Sequence, residues 1–184
     1  LSAFDHDGLF YTLSGEASYD DNSSQTSPKF SGAISERFSL GDGIDNFGVA
    51  AALSWQKRDF ASDNVETGGA WDFSDGARLE ELEQRDYDIR RERTGFGLNF
   101  DYKPDDASSY YLRTLYTDFT DAETRQNSII PVGEGDITTN ADGTYTVDGI
   151  DPGDFSRRVR FRTKEEDTFT VSAGGENRFG AGSS

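Results

Sequence analysis

Gly95-Phe96-Gly97-Leu98-Asn99-Phe100-Asp101-Tyr102 alternates residue by residue between two kinds of side chain. Phe96, Leu98, Phe100 and Tyr102 share one parity. Gly95, Gly97, Asn99 and Asp101 share the other. Successive side chains of an extended strand point to opposite faces, so this spacing predicts a strand with one apolar and one polar face.

Five further segments carry the same alternation. Upstream, Leu9, Tyr11, Leu13, Gly15, Ala17 and Tyr19 align, with Phe10 the exception on the opposite face. Phe30, Gly32, Ile34, Phe38 and Leu40 align next, interrupted by Glu36. Phe47, Val49, Ala51, Leu53 and Trp55 oppose Gly48, Ala50, Ala52, Ser54 and Gln56. Downstream, Tyr110, Leu112, Thr114 and Tyr116 oppose Tyr111, Arg113, Leu115 and Thr117, a pattern whose apolar side is ambiguous. Last, Phe169, Val171, Ala173 and Gly175 oppose Thr168, Thr170, Ser172 and Gly174, and Phe179 returns on the apolar parity. Each segment approaches the ~9–11 residues that cross a bilayer as a tilted strand. Aromatic residues mark many segment ends, as in the girdles at membrane interfaces, although aromatics also favour sheets for ordinary reasons.

Composition narrows the function classes. Only 33% of residues are apolar while 13% are aromatic. A chain polar on average yet strongly patterned fits a wall with one greasy and one wet face. The net charge of −17 argues against nucleic acid as a partner, because a phosphate polymer is repelled. The absence of Cys removes disulfides, thiolate catalysis and zinc–thiolate sites. Apolar runs are too short for a transmembrane helix, whereas a barrel stays open because its strands give weak hydropathy signals. The chain begins at Leu1, contains no Met and ends in Gly-Ala-Gly-Ser-Ser, which sets the expectation of an internal segment of a longer protein.

The links between segments divide by length. Short turns are expected at 41–46 and 104–108, and longer external stretches at 21–28, 59–91 and 120–163. Transmembrane barrels place short turns at one end and long loops at the other. Within the long stretches, residues 78–85 read as a short helix, or 87–93 as an upward extension of the fourth strand. Asn140-Ala141-Asp142-Gly143-Thr144 carries an Asp-Gly turn signal, so a small hairpin is expected at 139–147. The fold expected is all-β, an antiparallel up-and-down segment of about six strands from a transmembrane β-barrel.

Several stretches resemble TonB-dependent outer-membrane receptors. Glu16-Ala-Ser-Tyr-Asp-Asp with Ser27-Pro-Lys-Phe-Ser-Gly is similar to their first barrel hairpin. Phe47-Gly-Val through Ser54-Trp-Gln-Lys-Arg-Asp-Phe60 resembles their third strand. Tyr87-Asp-Ile-Arg-Arg-Glu-Arg-Thr-Gly-Phe-Gly-Leu-Asn-Phe-Asp-Tyr-Lys-Pro resembles the fourth, Tyr111-Leu-Arg-Thr-Leu-Tyr-Thr-Asp-Phe-Thr-Asp the fifth and Val171-Ser-Ala-Gly-Gly-Glu-Asn-Arg-Phe-Gly the sixth. The resemblance implies a 22-strand barrel in the outer membrane of a Gram-negative bacterium, holding an N-terminal plug and energised by the TonB complex. It implies residues 1–7 at the plug–barrel junction, 8–182 as part of the barrel, and import of a scarce nutrient such as a ferric siderophore or glycan. Neither an enzyme step nor a cofactor is expected. The alternatives are a passive porin-like barrel and a soluble secreted β-sandwich that binds or adheres.

Arginines supply the main ligand candidates. Continued upward in register, Arg158, Arg160, Arg162 and Lys164 share the non-lipid face with Arg91 and Arg93. Guanidinium groups clustered above a membrane suit an anionic ligand. The competing expectation is internal charge pairing with Glu92, Asp154 or Glu165. Trp71, Phe73, Tyr145 and Phe155 are loop aromatics placed for ligand contact. His6 is the only histidine and reads as a solvated junction residue. Scattered carboxylate pairs such as Glu80-Glu81 read as solvated surface. The 41–46 turn lacks the twelve-residue loop and closing Glu of a calcium hand.

Overall fold

The computed structural model describes residues 1–69, 71–73, 77–134, 136–149 and 155–178. Its strands are β1 (Phe10–Asp20), β2 (Gln25–Phe38), β3 (Phe47–Glu66), β4 (Trp71–Asp72), β5 (Arg78–Leu79), β6 (Leu82–Asp105), β7 (Ser108–Ile130), β8 (Asp136–Thr139), β9 (Tyr145–Asp148) and β10 (Ser156–Asn177). Short 3-10 turns lie at Ala3–Asp5 and Val132–Glu134. The fold is all-β. A single antiparallel sheet runs in the order β1-β2-β3-β6-β7-β10, and β4-β5 and β8-β9 form two small ladders. Every neighbour in the main sheet is the next long strand in sequence, an up-and-down meander.

Register carries the alternation across all six strands. One row reads Leu13, Gly32, Leu53, Phe96, Tyr116, Phe169, and the next Tyr11, Ile34, Ala51, Leu98, Thr114, Val171. The apolar parity of each segment therefore falls on one common face. Tyr110, Leu112 and Tyr116 of β7 belong to it by pairing with Tyr102, Phe100 and Phe96, which resolves the ambiguous strand. Phe38, Phe47, Tyr102 and Tyr110 line up at one border of this face. Phe30 and Trp55, stacked at 6.0 Å between ring centroids, stand at the other.

Beyond Trp55 the same face changes character. Lys57, Asp59 and Asp63 on β3 lie beside Glu92, Arg90, Asp88 and Asp86 on β6. The long strands thus have an apolar half next to the 39–46 and 106–107 turns and a charged half at the far end.

This sheet has almost no interior. Among the described residues only Ala3, Ala50 and Ile129 are buried apolar side chains. Leu13 is 85% exposed and Phe169 69%. Burying one such side chain stabilises by ~1.5–3 kcal/mol, so the exposed apolar face forgoes tens of kcal/mol wherever it meets water. The outer edges of β1 and β10 carry no partner strand within the sheet.

The polar face is partly covered near the turn end. Ser2 caps the 3-10 turn, its Oγ accepting from Phe4 N–H and donating to Asp101 at 2.8 Å. Asn99 donates to the Leu1 carbonyl at 2.8 Å. Ala3 presses on Gly48, where an added Cβ would come within 2.8 Å of the Ala3 methyl. Lys103 and Arg37 lie over the Phe4 ring at 4.2 and 5.8 Å. His6 stacks on Phe10 at 3.7 Å, which explains why an aromatic residue occupies the polar parity there.

Several boundaries differ from expectation. Strands β3, β6, β7 and β10 run 20–24 residues, so much of 59–91 and 120–163 is strand and not loop. The helix considered at 78–85 is absent: Arg78–Leu79 pairs with Trp71–Asp72, and residues from Leu82 onward extend β6. The β1–β2 link spans only 21–24, shorter than the 39–46 link. Length therefore segregates by end through the two long links, 67–81 and 131–155, and not through the first. The expected hairpin forms as β8-β9, with Gly143 at φ +83 in its turn. Asp154 and Phe179 lie outside the described residues.

Candidate functional site

The far half of the polar face concentrates positive charge. By register it carries Lys29 on β2, Arg58 on β3, Arg85, Arg91 and Arg93 on β6, Arg125 on β7, and Arg158, Arg160, Arg162 and Lys164 on β10. That is ten of the chain's 18 Lys and Arg, facing seven acids: Glu16, Asp20, Glu66, Glu83, Asp121, Glu123 and Glu166. A chain of net charge −17 thus presents one surface of positive balance. Position alone explains this: alternate residues of adjacent strands stack on one face, so Arg158, Arg160 and Arg162 align beside Arg125 and Glu123.

The structure sorts the candidate arginines by partner. Arg91 Nε meets Asp121 at 3.0 Å, and its guanidinium lies 5.1 Å from the Phe60 ring, which also contacts Arg58 at 4.9 Å. Arg162 pairs with Glu123 at 3.1 Å. Arg93 sits 4.9 Å from the Phe119 ring. Lys164 pairs with Glu166 at 3.0 Å on its own strand. Internal pairing therefore accounts for Arg91 and Arg162, through Asp121 and Glu123 and not through the expected Glu92 or Glu165. Arg158 and Arg160 are exposed and have no acid within ion-pair distance among the described residues.

Three groups absent from the sequence-derived set join the site. Arg85 bridges Glu83, at 2.5 Å, and Glu66. Asn127 donates to Glu83 at 2.8 Å and is 6% exposed. Arg125 stands opposite Arg160 in the ladder, 5.9 Å from the Tyr87 ring, with its Nε buried and unpartnered. The signal that would have found Arg85 and Arg125 is strand parity carried past Arg91 and past Thr117.

Titration follows these contacts. Burial raises the Asp59 carboxyl, but hydrogen bonds from Arg90 at 2.7 Å and Lys57 at 3.3 Å outweigh it and hold the group below its ordinary 3.8. Burial, and then the neighbouring Glu83, push Glu81 above its ordinary 4.5. Glu83 holds the Arg85 guanidinium firmly protonated.

The aromatic candidates lie on the links and small ladders and not on the six-strand sheet. Trp71 and Phe73 stack on each other at 6.4 Å beside β4, and Tyr145 begins β9. Phe155 is exposed just before β10. Among the described residues no group of three or more His, Cys, Asp or Glu side chains is placed to hold a metal ion. Comparison with protein-family models, curated proteins and solved structures found no match.

Proposed function

We propose that this chain forms part of the wall of an outer-membrane receptor that binds a scarce nutrient and imports it with energy from the TonB complex. The observation that carries the reading is the split of one sheet face, at one level on neighbouring strands, into an apolar band and a charged zone. A soluble sandwich packs its apolar face against a second sheet, and nothing requires that face to turn charged halfway along each strand. A bilayer requires it, because the hydrocarbon ends at a fixed height. From Phe47 to Trp55 the band spans eight residue rises of ~3.3 Å, or about 26 Å along the strand. At a ~40° tilt that is roughly 20 Å of thickness, near the ~25 Å band of transmembrane barrels. Aromatics border the band above and below, as at membrane interfaces.

On this reading the apolar face meets lipid and the polar face lines the lumen. Backbone groups at the β1 and β10 edges then find partners in further strands, since an open edge in hydrocarbon costs several kcal/mol per unsatisfied group. The Ala3–Asp5 turn rests on the lumenal face near the short turns, where the receptor resemblance puts the plug junction. Binding falls to the charged lumenal zone above the membrane, and no bond is made or broken.

Disrupting the gene in its host tests import. The expected result is a nutrient-limited growth defect matched, and not deepened, by loss of TonB. A defect indifferent to TonB identifies a passive barrel instead.

A further inference from the structure

We infer that Arg125, Arg158 and Arg160 form a binding site for a small soluble anion carrying two or more closely spaced charges, such as a polycarboxylate or oligophosphate. The inference deepens the proposed import function by naming a ligand class. It needs that reading only to call the face lumenal.

Two observations carry it. The first is a like-charge confrontation. Arg125 and Arg160 are direct cross-strand partners, which places their Cβ atoms ~4.5–5.5 Å apart, an arrangement that destabilises a sheet. Arg158 follows two residues along β10 on the same face. None of the three has an acid within ion-pair distance among the described residues, whereas Arg162 one step below has Glu123 and Arg85 two strands away has Glu83 and Glu66. Glu83 and Glu81 attract Arg125 and Arg158 only from beyond ion-pair distance.

The second observation is unmet hydrogen-bonding capacity beneath these groups. The Arg125 Nε–H, a donor, is buried with no partner. An unsatisfied buried donor is destabilising. An anion seated between the guanidiniums satisfies the donor and relieves the repulsion together. Guanidinium forks bind carboxylate and phosphate alike, so the geometry selects charge and spacing and leaves the acid type open.

The test is calorimetric titration of the full chain, with its native flanking sequence and in detergent, using citrate and pyrophosphate as probes. Saturable binding of either probe is expected, weakening as salt rises. Arg160→Gln and Arg125→Gln should each weaken it roughly tenfold, the loss of about one charge-assisted contact. Arg157→Gln, one residue away on the opposite face, should leave it unchanged. Preference for citrate or for pyrophosphate assigns the acid type, and either supports the site. Failure of both probes to bind, or equal loss in Arg157→Gln, overturns it. Membrane insertion is scored separately, so a soluble chain that binds anions sinks the receptor reading and spares the site.

Discussion

Leu98→Arg places a charge at the centre of the apolar band. The row Tyr11, Ile34, Ala51, Leu98, Thr114, Val171 lies two rows from the Phe47–Tyr102 border and two from the Trp55 border. In a transmembrane barrel an Arg at the bilayer midplane costs ~2–4 kcal/mol and one near an interface ~0–1. Leu98→Arg should therefore destabilise by about 2–4 kcal/mol and Tyr102→Arg by at most about 1. β10 supplies a matched pair: Val171 shares the central row, while Thr170 beside it faces the other way. Val171→Arg should follow Leu98→Arg, and Thr170→Arg should stay within about 0.5 kcal/mol. The assay is equilibrium denaturant unfolding in lipid vesicles. If the face meets water, surface substitutions show no depth profile, and equal small effects at Leu98, Tyr102, Val171 and Thr170 contradict a lipid-facing band.

Three further outcomes follow from the contacts. Gly48→Val should expel Ala3 from the polar face and expose residues 1–7 to protease without unfolding the sheet; continued protection contradicts the packing. Asp59, whose carboxyl is held below its ordinary 3.8, contributes stability that is present above that value and is lost as pH falls through the lower folded-state value. Asp59→Asn should remove this part of the acid limb of a stability–pH curve, and an unchanged limb contradicts the assignment. Glu83→Gln, which replaces the carboxylate shared by Arg85 and Asn127, should cost about 1–3 kcal/mol, whereas Glu81→Gln, which removes a carboxyl that burial and Glu83 hold above its ordinary 4.5, should be neutral or stabilising at pH 7 by urea unfolding.

Alternation was legible in the sequence wherever the two faces meet different surroundings. Gly95–Tyr102 reads unambiguously because one parity is apolar and the other polar or vacant. The signal fades where both faces are polar. Asp86, Asp88, Arg90 and Glu92 on one face alternate with Arg85, Tyr87, Arg91 and Arg93 on the other, so hydropathy shows no period although the ladder continues to Glu83. Strand extensions therefore read as loop, or as helix at 78–85, with 87–93 the alternative that continues the fourth strand as β6 does. β7 was ambiguous for the opposite reason: Tyr111 and Leu115 put apolar groups on the polar face too. The same parity rule placed Arg91, Arg93, Arg158, Arg160 and Arg162 on one face correctly. Which of them are neutralised depends on register between strands distant in sequence, as in Arg91 with Asp121 and Arg162 with Glu123, and no local pattern encodes that.

Because the chain has no native Cys, single-Cys substitutions along 95–102, each carrying a nitroxide, report lipid and water exposure residue by residue in vesicles. Labels at 96, 98, 100 and 102 should be relaxed by oxygen dissolved in the hydrocarbon, deepest at 98, and labels at 95 and 97 should be shielded from it. Labels at 96, 98 and 100 that collide with a water-soluble relaxant as freely as an exposed loop, or that show no alternation with their neighbours, contradict this lipid-facing placement.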